Sequence, residues 1–365
     1  MMKNNKVLQI KKGQAEVIEK PINEPGYGFV RVRQTLAPNC IEHRIYQTGF
    51  YEFHEGECHA GHEGVGVIDA VGPGVSKWRE GQRVVIFQGW ACGECHVCVS
   101  GLGATHCVNL KIPTEVEAYN DSESGGNGFC EYRLVPQNML ELIPDELADK
   151  YASAANCLIG CTYSGIRDLN VGPESVCLVG GVGFIGLATI VNLKYRGATV
   201  IVLGRDKQRM QAAFDIAEAD HYVNPEDEDW LEQIKALTPD GRGVDFSFDC
   251  CGYPYYQQKC LDATKHYGTL MILGYAAHEP DLKWELNTES GLSWGHKNIT
   301  AHFDVNFNHR KDILKVVGDP WIQSKLDKLI THRFPMSQAS AAFELLNNRT
   351  NANEFVGKVH FIPGE

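Results

Sequence analysis

The sequence predicts an α/β protein in two parts, a small β-barrel and a doubly wound parallel sheet, and three changes of texture carry that expectation. The first hundred or so residues hold short β-like runs punctuated by glycine. From about Tyr151, apolar runs of strand length alternate with amphipathic helical stretches. After about Leu329 the barrel-like texture returns, so the first domain is expected to be discontinuous: residues 1–155 completed by about 302–365, around a second domain of 156–301. A chain of 365 residues also suits two cores better than one.

The barrel strands are expected at Val30 to Thr35, Val65 to Val71 and Gln82 to Phe87, joined through Gly72-Pro73-Gly74 and Glu80-Gly81, which supply the fixed and positive φ values of tight turns. The sheet strands are expected at Ser175 to Val179, Thr199 to Leu203, Val244 to Asp249 and Thr269 to Leu273. In the tail, Phe334, Ala342, Phe343, Leu345 and Leu346 read at helical spacing before a closing strand, GKVHFIP. Asn120 to Asn127 (NDSESGGN) reads as a surface loop.

Composition narrows the function. Charged residues at 22%, apolar ones at 43% and aromatics at 10% are those of an ordinary globular protein. A formal charge of −12 argues against nucleic acid or an anionic membrane as the main partner, since phosphate binding needs a basic face. The basic N-terminus is not followed by an apolar run of signal-peptide length, and no stretch reaches transmembrane length. With thirteen cysteines and no export signal, a reducing cytoplasm is expected, where thiols serve as metal ligands or small apolar residues.

Four of those cysteines are crowded into Cys92-x-x-Cys95-x-x-Cys98 and Cys107. Thiolates at this spacing wrap one tetrahedral Zn²⁺, and four sulfurs leave no open position, so this knot is expected to be structural. His106 is the alternative to Cys107 as fourth ligand.

The strand-like Ser175 to Val179 runs into Gly180-Gly181-Val182-Gly183-Phe184-Ile185-Gly186 and then a helix-like segment. In that setting Gly181 allows the turn, Gly183 the approach of a pyrophosphate and Gly186 close strand–helix packing, with the phosphates on the helix N-terminus at Phe184 and Ile185. An NAD site places a carboxylate at the end of the next strand, but here Gly204-Arg205-Asp206-Lys207 follows Leu203. Gly204 leaves room for a 2′-phosphate that Arg205 pairs with, Lys207 and Arg209 assisting, so NADP(H) is expected. The alternative is NAD(H), with Arg205 stacked on adenine and Asp206 on the ribose.

These motifs, with Cys40 after the first barrel strands, Gly61-His62-Glu63-Gly64-Val65-Gly66, GGNGFCEYRLVP at 125–136 and LITHRFP near 329–335, resemble the zinc-dependent medium-chain dehydrogenase/reductase family of alcohol, polyol and sugar dehydrogenases over nearly the whole chain. The resemblance implies a GroES-like β-barrel catalytic domain, a Rossmann dinucleotide domain and two Zn²⁺ per chain. It implies a catalytic zinc on Cys40, His62 and Cys157, with Glu63 beside it. Such an ion polarises a substrate oxygen and eases hydride transfer to or from a nicotinamide. It also implies a homodimer or homotetramer, formed through the sheet edge near Leu270 to Tyr275.

Alternatives stay open at this point. Cys157 or Cys161 is able to serve as a packed thiol, His62 as a core histidine, and Cys58 or His59 as a replacement ligand. The family usually has Ser or Thr two residues after the first cysteine as a proton relay; here stand Glu42 and His43, read as a replacement general base or else as structural residues. Tyr46, Phe50, Tyr51, Phe53 and His54 are candidate substrate-pocket residues, with His302, Phe303 and Asp304 bordering it. The function expected is NADP(H)-dependent interconversion of a secondary alcohol, polyol or sugar-like substrate with its carbonyl. The alternatives are a zinc-free quinone or enoyl reductase and a non-catalytic nucleotide or redox sensor.

Overall fold

The computed structural model describes residues 4–48, 50–51, 54–55, 61–89, 91–109, 128–275 and 292–365. The loop expected at 120–127, Phe53, Cys58 and His59 lie outside these residues. So do the side chains of Phe50, Tyr51 and His54, whose backbones form the short antiparallel pair Phe50–Tyr51 and His54–Glu55. The chain divides into two compact units, residues 1–160 with 304–365, and residues 161–303.

The first unit is built on a seven-stranded sheet. Its path runs Ile330–Pro335, Lys358–Ile362, Phe29–Pro38, Gly64–Val71, Arg83–Ile86 and Leu140–Leu142, with Tyr132–Pro136 pairing the other side of Phe29–Pro38. Val30, Val32 and Gln34 alternate inward along the central strand, which is why a period-two pattern there commits to a buried face. The C-terminal strand Lys358–Ile362 pairs antiparallel to Phe29–Pro38 at Phe361↔Ala37, so chain from both ends builds one sheet. Phe334, expected in a helix, lies in the strand Ile330–Pro335; the helix is Ala339–Asn347, with Ala342, Phe343 and Leu346 buried. One turn of helical spacing ahead of Ala339 was insufficient to extend it, because Pro335 and the short turn Met336–Gln338 intervene.

The second unit is a six-stranded parallel sheet in the order His221–Val223, Thr199–Leu203, Val176–Gly180, Val244–Asp249, Thr264–Ile272, Asn298–Ala301. Numbered along the chain this is the 3-2-1-4-5-6 order of a dinucleotide-binding fold. Its core holds Val176, Leu178, Ile201, Leu203, Val244 and Leu270, the near-continuous apolar runs that a sheet covered on both faces requires. The strand Thr264–Ile272 is paired on both sides, so Leu270 is interior and the edge belongs to Asn298–Ala301; the expected assembly edge is corrected accordingly. Among the described residues no helix is long and apolar enough to cross a membrane.

Candidate active site

Three separate turns of the first unit deliver a set of side chains able to hold a metal ion. Cys40 follows the strand Phe29–Pro38 through Asn39, whose N–H donates to the Val359 carbonyl at 2.9 Å. His62 and Glu63 precede the strand Gly64–Val71. Here Gly61 (φ +106°) packs so closely that a Cβ would come within 2.7 Å of the Phe129 nitrogen, so glycine alone sets the approach to His62. Cys157 sits ahead of the helix Ile159–Arg167, its neighbour Asn156 fixed by a 2.6 Å hydrogen bond to the Ile86 carbonyl. One ligand atom each of Cys40, His62, Glu63 and Cys157 lies within 4.8 Å of the others, and Cys161 is not in the group.

The geometry suits a zinc ion. The Cys40 and Cys157 sulfurs are 3.6 Å apart, against about 3.8 Å for two thiolates on tetrahedral zinc. Glu63 is fully buried; its Oε1 accepts from Lys358 Nζ at 2.5 Å, and its Oε2 has no hydrogen-bond partner. A buried carboxylate oxygen without a donor is costly unless a cation serves it. Sharing a proton with Cys157, together with burial, pushes the Cys40 thiol well up, while Lys358 pulls it down. For Lys358, burial opposes the charge, but Glu63 and the two thiols outweigh it and hold the ammonium above its ordinary range.

Glu42 and His43, expected as a relay, lie beside the Cys40–His62 set. Glu42 Oε1 accepts from His62 Nδ1 at 2.8 Å and its Oε2 accepts from the Cys40 N–H at 2.8 Å. Burial opposes ionisation, yet His62 overrides it and holds Glu42 at about 2. The buried His43 ring meets the Arg349 guanidinium at Nε2 (3.0 Å) and Asn39 at Nδ1 (3.4 Å); burial, then Arg349, drops it to about 3. Glu42 thus contacts two members of the Cys40–His62 set, and His43 contacts the neighbouring Asn39. Tyr46 packs on Phe343 and donates to Glu344 at 3.0 Å.

The second cluster is Cys92, Cys95, Cys98 and Cys107, and it does not include His106. Cys95 Sγ lies 3.4 Å from Cys98 Sγ and 3.8 Å from Cys107 Sγ, close to the roughly 3.8 Å expected of thiolates that share a tetrahedral zinc. Backbone N–H groups point at the sulfurs, Cys95 N–H to Cys92 and Cys92 N–H to Cys107, both at 3.3 Å. Such donors favour thiolate, and that from Cys98 leads in drawing Cys95 down to about 6. Asp304, expected at a substrate pocket, instead ties this lobe down: its Oδ2 accepts from the Thr105 N–H and hydroxyl, each at 3.1 Å.

In the second unit the glycine loop has the required shape. Gly181 takes φ +92°, and a Cβ on Gly186 would lie 1.9 Å from the Gly181 carbonyl, so the helix Phe184–Tyr195 packs where only glycine fits. A Cβ on Gly183 would meet nothing within 4 Å, which leaves the loop open to an approaching pyrophosphate. Gly204 is packed as well as open: its Cβ would be 2.7 Å from Met210 Sδ. Asp206 caps the helix Lys207–Asp215 by accepting from the Arg209 N–H at 3.1 Å, with Arg209 Nε 3.8 Å from its other oxygen. Arg205 pairs with Glu226 at 2.7 Å, a partner on the following strand's loop that sequence reading missed.

Lys358, Asn39 and Asn156 were missed too; the one available signal was a lysine opening a mostly apolar strand. Residues 26–145 match the alcohol dehydrogenase GroES-like domain and residues 185–301 match the zinc-binding dehydrogenase family. Alcohol dehydrogenase 6 of Peromyscus maniculatus is 27% identical over 310 residues, covering 79% of this chain and 80% of that protein. The solved structure of an Escherichia coli CFT073 short chain alcohol dehydrogenase, complexed with NADH, is 26% identical and superposes with a TM-score of 0.81 over 98% of this chain and 99% of that one. A zinc-binding dehydrogenase of Sinorhizobium meliloti 1021 bound to NADP shares the fold, with a TM-score of 0.80 at 24% identity over 99% of this chain and 100% of that one. With its barrel, its Rossmann sheet, its two cysteine-rich clusters and these relatives, the chain belongs to the zinc-dependent medium-chain dehydrogenase family.

Proposed function

We propose that this oxidoreductase of the alcohol dehydrogenase family is an NADP(H)-dependent zinc enzyme that interconverts a secondary alcohol, polyol or sugar-like substrate with its carbonyl. The observation that carries this reading is the convergence of Cys40, His62, Cys157 and Glu63 within 4.8 Å in a largely buried setting. A zinc ion bound there supplies Lewis acidity toward the substrate oxygen. Glu42 Oε1 keeps the His62 proton on Nδ1, which leaves the Nε2 lone pair for the metal. Lys358 holds Glu63 by one oxygen and favours loss of the thiol protons of Cys40 and Cys157. The four-cysteine lobe is read as a structural zinc site through Cys92, Cys95, Cys98 and Cys107.

NADP(H) is favoured by the absence of a carboxylate at the end of Thr199–Leu203 and by Arg205, with Lys207 and Arg209 close along the chain. Gly181, Gly183, Phe184, Ile185 and Gly186 are read as the pyrophosphate cradle. The described cysteines are all free thiols, which supports a reducing, cytoplasmic setting, and assembly as a homodimer or homotetramer is proposed with it. Metal analysis with a screen of alcohols and carbonyls, followed by NADPH and NADH absorbance, tests the reading. Two zincs per chain, alcohol oxidation and a tenfold or greater preference for NADP(H), lost in R205Q, are expected. One zinc or none with enone reduction, or tight NADPH binding without turnover, overturns it in favour of a quinone reductase or a sensor.

A further inference from the structure

A cleft of about 180 Å³ opens on the first unit between the helix His43–Thr48 and the end of the helix Ala339–Asn347. It is lined by His43, Arg44, Gln47, Asn347, Arg349 and Thr350, with Leu346 as its single apolar wall. Its lining includes two arginines, two amide residues and a threonine, and no carboxylate lines it among the described residues. In a chain of net charge −12, a recess whose charged lining residues are two arginines stands against the overall balance.

The two arginines are differently held. Arg349 is anchored from inside, its Nη1 donating to His43 Nε2 at 3.0 Å and to the Leu346 carbonyl at 2.9 Å. The buried His43 thus fixes one edge of the guanidinium fork, and Asn347 Nδ2 braces the same turn by donating to the His43 carbonyl at 3.1 Å. Arg44 makes no side-chain hydrogen bond or ion pair among the described residues. An anchored guanidinium beside a second one, flanked by amide and hydroxyl donors, is the chemistry that grips a tetrahedral oxyanion, because guanidinium N–H pairs match two oxygens at once.

We propose that this cleft is an anion site for a phosphate-sized oxyanion, separate from the dinucleotide and metal sites. From Arg349 the contacts run through His43 to Asn39, whose Nδ2 lies 3.4 Å from His43 Nδ1 and 3.3 Å from the Cys40 carbonyl, so Arg349 is three contacts from Cys40. The proposal does not depend on turnover, because binding is read directly.

Isothermal titration of the full-length, zinc-loaded protein with inorganic phosphate, and separately with sulfate, at constant ionic strength is the test. One anion per chain is expected, bound at least tenfold more weakly by R44E and by R349Q, unchanged in R205Q and not displaced by NADPH. R349Q removes a contact to buried His43; should it fail to fold, R44E, whose side chain anchors nothing, decides alone. Absence of a saturable site, equal affinity in R44E, or loss of binding in R205Q or on adding NADPH overturns the proposal; the last two outcomes would assign the anion to the dinucleotide loop.

Discussion

His62 gives its Nδ1 proton to Oε1 of Glu42 across 2.8 Å, while the other Glu42 oxygen accepts from the Cys40 backbone. One carboxylate therefore orients two of the metal-ligating residues at once. Its loss is expected to act on the metal before it acts on chemistry. E42Q should bind zinc 10- to 100-fold more weakly in a competitive chelator titration, the usual effect of removing the partner of a ligating histidine. Activity should return when zinc is added in excess. A variant with native zinc affinity but a shifted pH profile would restore Glu42 to the role of proton relay.

Glu63 and Lys358 form an ion pair that is almost wholly removed from water. Removing one partner of such a pair strands the other charge, so K358M is expected to lose about 3–5 kcal/mol by urea unfolding. The double variant E63Q/K358M should recover most of that, having no charge left to strand. Because the folded Lys358 value is raised, its stabilisation is complete below the unfolded value near 10.4 and fades only as pH rises through the folded one. The K358M deficit should accordingly be the same at pH 6 and pH 8.

Asp304 holds the four-cysteine lobe by one oxygen, adopting φ +78° to do so. D304A leaves the Thr105 N–H without its acceptor, at about 1–3 kcal/mol. The expected result is one zinc of two becoming labile to a chromogenic chelator, the other released at the native rate. C107S should lose the same zinc outright. If D304A released both ions together, the lobe and the Cys40 cluster would not be independent.

His43 and His360 are both buried neutral and both held at about 3, burial first, then Arg349 for His43 and Lys358 for His360. A depressed histidine contributes stability above its unfolded value near 6.5 and surrenders it as pH falls toward the folded one. The native protein is expected to lose stability between about pH 6.5 and 3, by at most about 1.4 kcal/mol per pH unit for each histidine. H360Q should flatten that slope by one proton's share. Glu42 acts lower, its contribution present above about 4.3 and lost as pH falls through about 2, so the two windows separate.

Much of this was legible in the chain because the informative residues are local. CxxCxxC turns back on itself within a few residues, and a glycine loop between a strand and a helix declares its own geometry. The contacts that were not legible depend on partners remote in sequence. Lys358 reaches Glu63 across 295 positions and Asp304 reaches Thr105 across 199, and no periodicity encodes such meetings. Glu42 was visible beside Cys40, but spacing alone does not say that its oxygens face inward to His62 and the backbone instead of a substrate. Leu270 was misplaced at an edge because a strand's own residues do not show whether a further strand, here Asn298–Ala301, covers it.

Gly183 and Gly186 make the same contribution to the sequence pattern and opposite ones to the structure. A methyl at Gly186 would collide with the Gly181 carbonyl at 1.9 Å, whereas at Gly183 it would meet open space. G186A is therefore expected to force the helix Phe184–Tyr195 off the sheet, destabilising the protein by about 1–3 kcal/mol and weakening NADPH together with it. G183A should melt with the native enzyme, because nothing in the free protein is crowded, yet bind NADPH at least tenfold more weakly, since the methyl occupies the space through which the pyrophosphate must approach. Thermal unfolding and a fluorescence titration with NADPH separate the two effects. Native affinity in G183A would mean that the phosphates lie elsewhere on the sheet, and the assignment of Arg205 to a 2′-phosphate would fall with it.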